Sequence, residues 1–506
     1  MKKTMVLCLL AFRLGAADYH ITSFGAVGDG RTVNTAAVQA AVDAASHAGG
    51  GRVVIPTGEF LTGTLIVKSN VELHLEAGAV LKGSPNLDDY ELSGIRRGVI
   101  FAADQRNITL SGHGVIDGNG TIFFDPQKPH WGPDFDRQFT RQGEKYMDFS
   151  GGIEDGPIAY TARPGMMAVF IRCEGVTIED LTLRDSAEWC VRIGDCDGVR
   201  VHGITILNNP LVPNSDGIHC TTSRNVRISD CDIRAGDDAV IVTGFGADID
   251  VHGNDRHLTL DYAQRAVGNK TGYAENVTVT NCVLQSRSSG VRIGYGQTPI
   301  RNCVFSTLVI HDSNRGLGVF ARDAGSIQNI LFSNIIIRTR LHTGHWWGNG
   351  EPIHVSAIAQ NKSVPVGGVS DIRFENIVAE SEAGILLYGA TDRPLQNLVL
   401  KDVTLKIVAG RHTASYGGNF DLRPAADLKD GIFAHDIPGL FAKDIEGLTI
   451  ADFNLVWSSG LPTFFSHGIE AESVNGLRID RFDGEAAPNS AYGKAIHLTN
   501  CRPIDP

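Results

Sequence analysis

A short alternating pattern returns along this chain at a nearly constant interval, and few folds can use such a repeat. "GVTIEDLTLRDS" begins at Gly175, "GVRVHGITILNN" at Gly198 and "NVRISDCDIRAG" at Asn225, spacings of 23 and 27 residues. The pattern recurs as "NVTVTNCVLQSR" at Asn276, "IQNILFSNIIIRTR" at Ile327, "VSDIRFENIVAES" at Val369, "LQNLVLKDVTLKI" at Leu395, "IEGLTIADFNLVW" at Ile445 and "VNGLRIDRF" at Val474. Each unit alternates apolar and polar residues around a polar or Gly-containing corner. A period in the twenties with two or three short strands per unit predicts an all-β chain wound as a right-handed parallel β-helix. Each coil then pairs with the next at about 4.8 Å, and the inward residues stack into a narrow apolar core. A leucine-rich repeat would need Leu at fixed offsets beside an Asn ladder, and Leu is too sparse for it. A β-sandwich would show hairpin turns in place of the constant corner.

The first segment departs from the repeat. "NTAAVQAAVDAASHAGG" reads as an Ala-rich amphipathic helix, capped by Thr35 and ended by Gly49 and Gly50. A solenoid needs its open end covered, and this helix is placed to do so. Before it, Lys2 and Lys3, the apolar run Met5 to Phe12, and small residues Gly15 and Ala17 read as a secretory leader over 1–17, despite Arg13. The remaining 18–506 is expected to be a single β-helical domain of a secreted or periplasmic protein, and no later apolar run is long enough to span a membrane. Stretches without strand pattern at about 121–165, 247–272, 341–368 and 409–440 are expected as loops walling a groove along the coils.

The formal charge of -12 falls to -15 once Lys2, Lys3 and Arg13 are removed, which argues against nucleic acid as a partner. Cys8 belongs to the leader, leaving eight of the nine cysteines. Cys231, Cys282 and Cys303 recur at one place in the repeat, so stacked thiols and disulfides both stay open.

Within "NSDGIHCTTSRNVRISDCDIRAGDDAV" stand three aspartates, Asp216, Asp237 and Asp238. Asp216 precedes Asp237 by 21 residues, close to one coil, so the two are expected on neighbouring rungs. Asp238 joins them if the backbone bends at Gly236, because strict alternation would point it to the other face. Clustered carboxylates are costly to hold together, and mutual repulsion raises the pKa of one member. That division suits glycoside hydrolysis, in which one acid protonates the leaving oxygen and another activates water. Turn aspartates solvating the corners, or a calcium site, are the competing readings.

"NSDGIH" followed one coil later by "GDDAV" resembles the signature of the polygalacturonases, glycoside hydrolase family 28. The opening "ITSFGAVGDGRTVNTAAVQAAVD", "GGRVVIPTGEFLTG" and "GHGVIDGNG" resemble that family as well, so the likeness runs over roughly residues 20 to 490. The resemblance implies an inverting pectin hydrolase working without a metal or other cofactor. It makes Asp237 the general acid, gives Asp216 and Asp238 the water, and has Asn214 orient the cluster. Two family motifs are altered: Ser289 stands where a His is usual, and Gly318 and Phe320 replace the Arg and Lys that hold a substrate carboxylate.

Other side chains are candidates for contact with the glycan. If Val291 and Ile293 point inward, Arg292 points into the groove, and Arg315 and Arg322 follow on the next coil. Trp346 and Trp347 in "HTGHWWGNGEPIH" offer sugar-stacking rings, with His345, Glu351 and His354 as further polar contacts. His219 lies close enough in sequence to tune Asp216, and His113 sits in another matched motif. The expected protein is a monomer acting on a pectin-type polysaccharide, galacturonan or rhamnogalacturonan-related. The alternatives are a pectate-lyase-like enzyme, with calcium and an arginine base, and a β-helix that binds glycans without turnover.

Overall fold

The computed structural model describes residues 17–92, 95–130, 135–147, 154–245, 272–488 and 491–503. Its main element is a 33-stranded sheet whose strand pairings are all parallel, wound into successive coils as the repeat predicts. The expected leader lies outside the described residues except for Ala17. No helix among the described residues is long and apolar enough to cross a membrane.

One inward ladder shows how the repeat becomes a core. Val199, Val226, Val277, Cys303, Ile330, Ile372, Leu398, Leu448 and Leu477 occupy one register position on nine successive coils. Another places Phe305, Phe332 and Phe374 in a stack, with ring centroids 5.2 and 5.0 Å apart. Each such buried ring contributes about 1.5–3 kcal/mol of transfer free energy. The coils turn at residues in the left-handed region, among them Asn225, Asn276, Asn302 and Asn329. Asn and Asp tolerate that conformation because their short polar side chains bond locally. Here the Asn276 amide donates to Asn225 Oδ1 at 3.1 Å, and the Asn329 amide to Asn302 Oδ1 at 3.3 Å. The polar corners thus form an Asn ladder of their own, the feature expected to mark the rejected leucine-rich repeat.

The cysteine register is finer than expected. Cys231 and Cys282 stack at one corner, with Leu308 on the next coil, whereas Cys303 belongs to the Val277 ladder. All eight described cysteines are unpaired. The helix Thr35–His47 covers the N-terminal end with Val38, Ala41, Val42 and Ala45 buried. Asn34, not Thr35, is its capping residue: Asn34 bridges Val27 and Thr32, while the Thr35 hydroxyl accepts from the Gly63 amide at 2.7 Å.

Three insertions lock together over the coils that follow the aspartates. Arg141 donates to Gly418 O at 3.1 Å and pairs with Asp436, and the Asn419 amide donates to Gln142 Oε1 at 3.0 Å. Arg340 holds Asp155 at 3.1 Å, and the Trp346 indole donates to Asp155 O at 3.2 Å. The hairpin Asn419–Asp421 with Ile432–Ala434 lays Phe420 against Phe441, 5.0 Å between rings, on the outer face of its coil. Leu386 and Phe441, successive outward residues of that face, are therefore only 1% and 3% exposed. The fourth expected insertion, 247–272, lies outside the described residues except for Gly272.

Candidate active site

One face of the helix is built by the strands Val191–Gly194, Ile218–Thr221, Val240–Gly244, Ser289–Gly296, Arg315–Ala321 and Ile353–Ala357. Ile218 pairs with Val240, and the Gly217 amide donates to Asp238 O at 2.9 Å. Asp216 therefore faces Asp238 across the rung, and the spacing that pointed to Asp237 is one residue short. Asp237 joins by the corner itself, its Oδ1 accepting from the Asp238 amide at 2.9 Å. Its carbonyl is pinned by the Ser286 hydroxyl at 2.6 Å. Gly236 serves this corner through space rather than through a left-handed bend: a Cβ there would lie 2.3 Å from Val212 O. Asn214 does take the left-handed conformation, φ 56°, and its Oδ1 accepts from Arg163 at 3.2 Å. Arg163 also binds the carbonyls of Ala187 and Pro213, both at 2.9 Å, fixing the approach to Asp216.

The three carboxyls differ in environment. Burial, then the charge of Asp238, pushes the Asp237 carboxyl up to about 7, against the opposing pull of Arg292. Asp216 is raised well above the usual carboxylate range by burial and by both neighbours. Asp238 has a partner at each oxygen: the Ser289 amide donates to Oδ1 at 2.8 Å, and Arg292 Nε lies 2.6 Å from Oδ2. That second contact is a close ion pair whose N–H is not aimed squarely at the oxygen.

His219 stands behind Asp216, its Nδ1 3.2 Å from Asp216 Oδ2 and its Nε2 3.2 Å from Thr243 Oγ1. Burial, with Arg292 and Arg192 nearby, holds the imidazole well below its ordinary pKa, so this contact is a hydrogen bond and not an ion pair. Trp189 stacks on the imidazole, 3.7 Å between centroids. Beyond it, Phe245 meets Tyr295 edge-on at 5.6 Å, and Arg292 lies 5.2 Å from the centre of the half-buried Tyr295 ring.

The structure thus gathers Asp216, Asp237, Asp238, Asn214, His219 and Arg292, and sets the other candidates apart. Arg315 follows Ser289 in register, one rung beyond Asp238's neighbour. It is buried, 3.6 Å from Glu351 Oε2 and 4.8 Å from the Phe320 ring centre. Arg322 is corrected from groove cation to internal tie, since it donates to the carbonyls of Ala321, Ser356 and Leu422. Burial lowers its guanidinium to about 9. Trp346 is corrected as well: at 2% exposure it anchors its loop and presents no face to a sugar. Trp347 is half-buried, its ring 5.5 Å from the Arg423 guanidinium. His354 is buried and neutral against Ser356 Oγ at 3.0 Å, and His113 is exposed on early coils.

Trp189, Thr243, Tyr295 and Arg163 pack into the candidate site without belonging to any of the sequence motifs. Trp189 faces Asp216 in register, because Val191 pairs with Ile218, so coil-by-coil alignment would have found it.

Residues 46–418 match the profile of Glycosyl hydrolases family 28. A probable polygalacturonase from Vitis vinifera is 26% identical over 424 residues, covering 78% of this chain and 75% of its own. An exo-poly-alpha-D-galacturonosidase from Dickeya chrysanthemi is 28% identical, a match spanning 45% of this chain and 42% of that protein. A family 28 exopolygalacturonase structure from Yersinia enterocolitica shares the fold at TM-score 0.62 and 18% identity, over 96% of this chain and 78% of that one.

Proposed function

The chain belongs to glycosyl hydrolase family 28 and is a glycoside hydrolase, and we propose that it is a secreted, inverting hydrolase of pectin-type polysaccharide, galacturonan or rhamnogalacturonan-related. The observation that carries this reading is the contrast between two neighbours: Asp237 is pushed up to about 7 beside an Asp238 that accepts from the Ser289 amide and is ion-paired with Arg292. A general acid near 7 keeps its proton at mildly acidic pH and releases it when the leaving oxygen needs it. In this mechanism Asp237 protonates the glycosidic oxygen as its bond to the anomeric carbon breaks. Asp238 takes a proton from water attacking the opposite face of the sugar, and Asp216 across the rung orients that water. Asn214 and His219 hold the positions of these carboxyls.

Arg292 supports a uronate-bearing substrate. It pairs by register with Gly318, so the guanidinium missing at position 318 has a counterpart one rung nearer the aspartates. Its Nε is engaged by Asp238, and its Nη nitrogens are assigned to the substrate carboxylate. The half-buried Tyr295 beside it offers a ring for the sugar face. The interlocked insertions bury the outer face at Leu386 and Phe441, which favours removal of terminal residues over internal cutting. The leader pattern supports secretion, and the chain is assigned as a monomer.

Arg292 also weighs against the lyase reading. Its ion pair with Asp238 holds the guanidinium protonated, so it lacks the neutral form a base needs. The test is the product profile from oligogalacturonides and rhamnogalacturonan fragments. Saturated monomers that disappear in Asp237→Asn are expected. Unsaturated products would overturn the reading in favour of a lyase, and glycan binding without turnover would overturn it in favour of a lectin-like protein.

A further inference from the structure

A second opening lies on the far side of the locked insertions. A cleft of about 540 Å³ is bounded by the corner Tyr388–Thr391, by Ile358 and Ala359, and by the hairpin residues Leu422, Ala426, Lys429 and Phe433, with Lys443 and Asp444 from the next coil. Tyr388 shares a strand with Leu386, four rungs beyond the one that follows Asp238. At about 4.8 Å per rung that places the cleft roughly 19 Å along the axis from the carboxylates. On an intermediate coil, Arg322 is tied to Leu422 O at 3.1 Å. The cleft is therefore separate from the catalytic groove.

Its chemistry is that of a sugar site. The volume falls within the range of pockets that hold small ligands. Tyr388 and Phe433, both half-buried, give aromatic surface, and Ala359, Ala425 and Ala426 keep the walls low. Thr391 Oγ1 donates to Asp444 Oδ2 at 3.4 Å, so a hydroxyl and a carboxylate stand ready for sugar hydroxyls. Lys443 is fixed 3.3 Å from Glu472 and 5.7 Å from the Tyr388 ring centre. Lys429 is exposed on the rim, where its charge acts on Asp427 and Asp430 also lines the cleft, and it makes no direct carboxylate contact among the described residues. An ammonium held by no close carboxylate beside an aromatic floor suits a pyranose carrying a carboxylate.

We propose that this cleft is a second glycan-binding site, taking a short uronate-bearing segment of the polysaccharide and tethering the enzyme to it while chain ends are processed elsewhere. The assignment of the glycan rests on the family reading above. Tyr388 supplies the stacking face, Lys429 meets the carboxylate, and Asp444 with Thr391 meets hydroxyls.

The test uses the full chain carrying Asp237→Asn, titrated calorimetrically with trigalacturonate. Two sites are expected, one of which is lost in Tyr388→Ala and weakened at least threefold in Lys429→Ala. Tyr388→Phe, which keeps the ring, is expected to retain both. In the otherwise unaltered enzyme, Tyr388→Ala should leave turnover of trigalacturonate unchanged and slow turnover of polymeric galacturonan severalfold. If Tyr388→Ala and Lys429→Ala leave both the titration and the polymer rate unchanged, the proposal is overturned. Cleft binding without any turnover by the unaltered enzyme would sustain this site while overturning the hydrolase reading.

Discussion

Replacing Asp237 by Asn should stabilise the protein while abolishing its chemistry, and the stabilisation should depend on pH. The carboxyl is raised from 3.8 to about 7. At 1.36 kcal/mol per unit, a shift of roughly three units makes folding about 4 kcal/mol less favourable once the group ionises in both states. The sign follows from proton counts. Between the unfolded pKa near 3.8 and the folded value near 7, the folded chain holds a proton that the unfolded chain has lost, so stability falls as pH rises through this window. Below it both states are protonated, and the penalty vanishes. An Asn side chain carries no such penalty, and its Oδ1 still accepts from the Asp238 amide. Urea unfolding followed by circular dichroism should show the variant more stable by about 4 kcal/mol at pH 8, with the gap closing by pH 3. A gap that is absent, or equal at both pH values, would refute a buried, proton-holding Asp237.

The same carboxyl sets the pH–rate profile: kcat/KM should fall as pH rises through about 7, because the acid loses its proton there. Arg292→Gln leaves Asp238 without its cation and should cost about 3–5 kcal/mol in stability; adding Asp238→Asn should recover part of that loss, the signature of a coupled pair in a double-mutant cycle. Trp189→Ala removes the ring stacked on His219 and should cost about 3–5 kcal/mol, whereas Trp189→Phe should retain most of the stability and activity. Arg141→Ala releases one tie between insertions and should shift digestion of long galacturonan from monomer towards longer products, as read by chromatography.

Much of the architecture was legible because the inward ladder and the corners each impose their own residue type. Val226, Val277 and Ile330 can only be core, and Asn225, Asn276 and Asn329 take a left-handed corner that few other residues accept. The carboxylate cluster of the candidate site was legible to within one residue. Counting from Asp216 pointed to Asp237, but the strand register binds Asp216 to Asp238, and only the corner brings Asp237 beside them. Trp189 shows itself only once its coil is aligned with that of Asp216, and Tyr295 stayed hidden because alternation from Arg292 would put Gly294 on its face, whereas the register shifts just there. Trp346 was misread for a different reason. Its indole is buried by Asp155, a residue of another insertion 191 positions away, and no local pattern reports such a contact. Arg322 likewise looked like a groove cation until Leu422, 100 positions on, supplied a carbonyl for it.

The central claim is a division of labour among three carboxyls, and the stereochemistry of the product tests it most directly. Proton NMR of a digest of oligogalacturonide or rhamnogalacturonan fragments, recorded in the first minutes, shows the anomer released before mutarotation. The account predicts a new reducing end of inverted configuration, formed by the parent and lost in both Asp237→Asn and Asp238→Asn. A product of retained configuration would contradict it, because the second carboxylate would then be attacking the sugar rather than activating water.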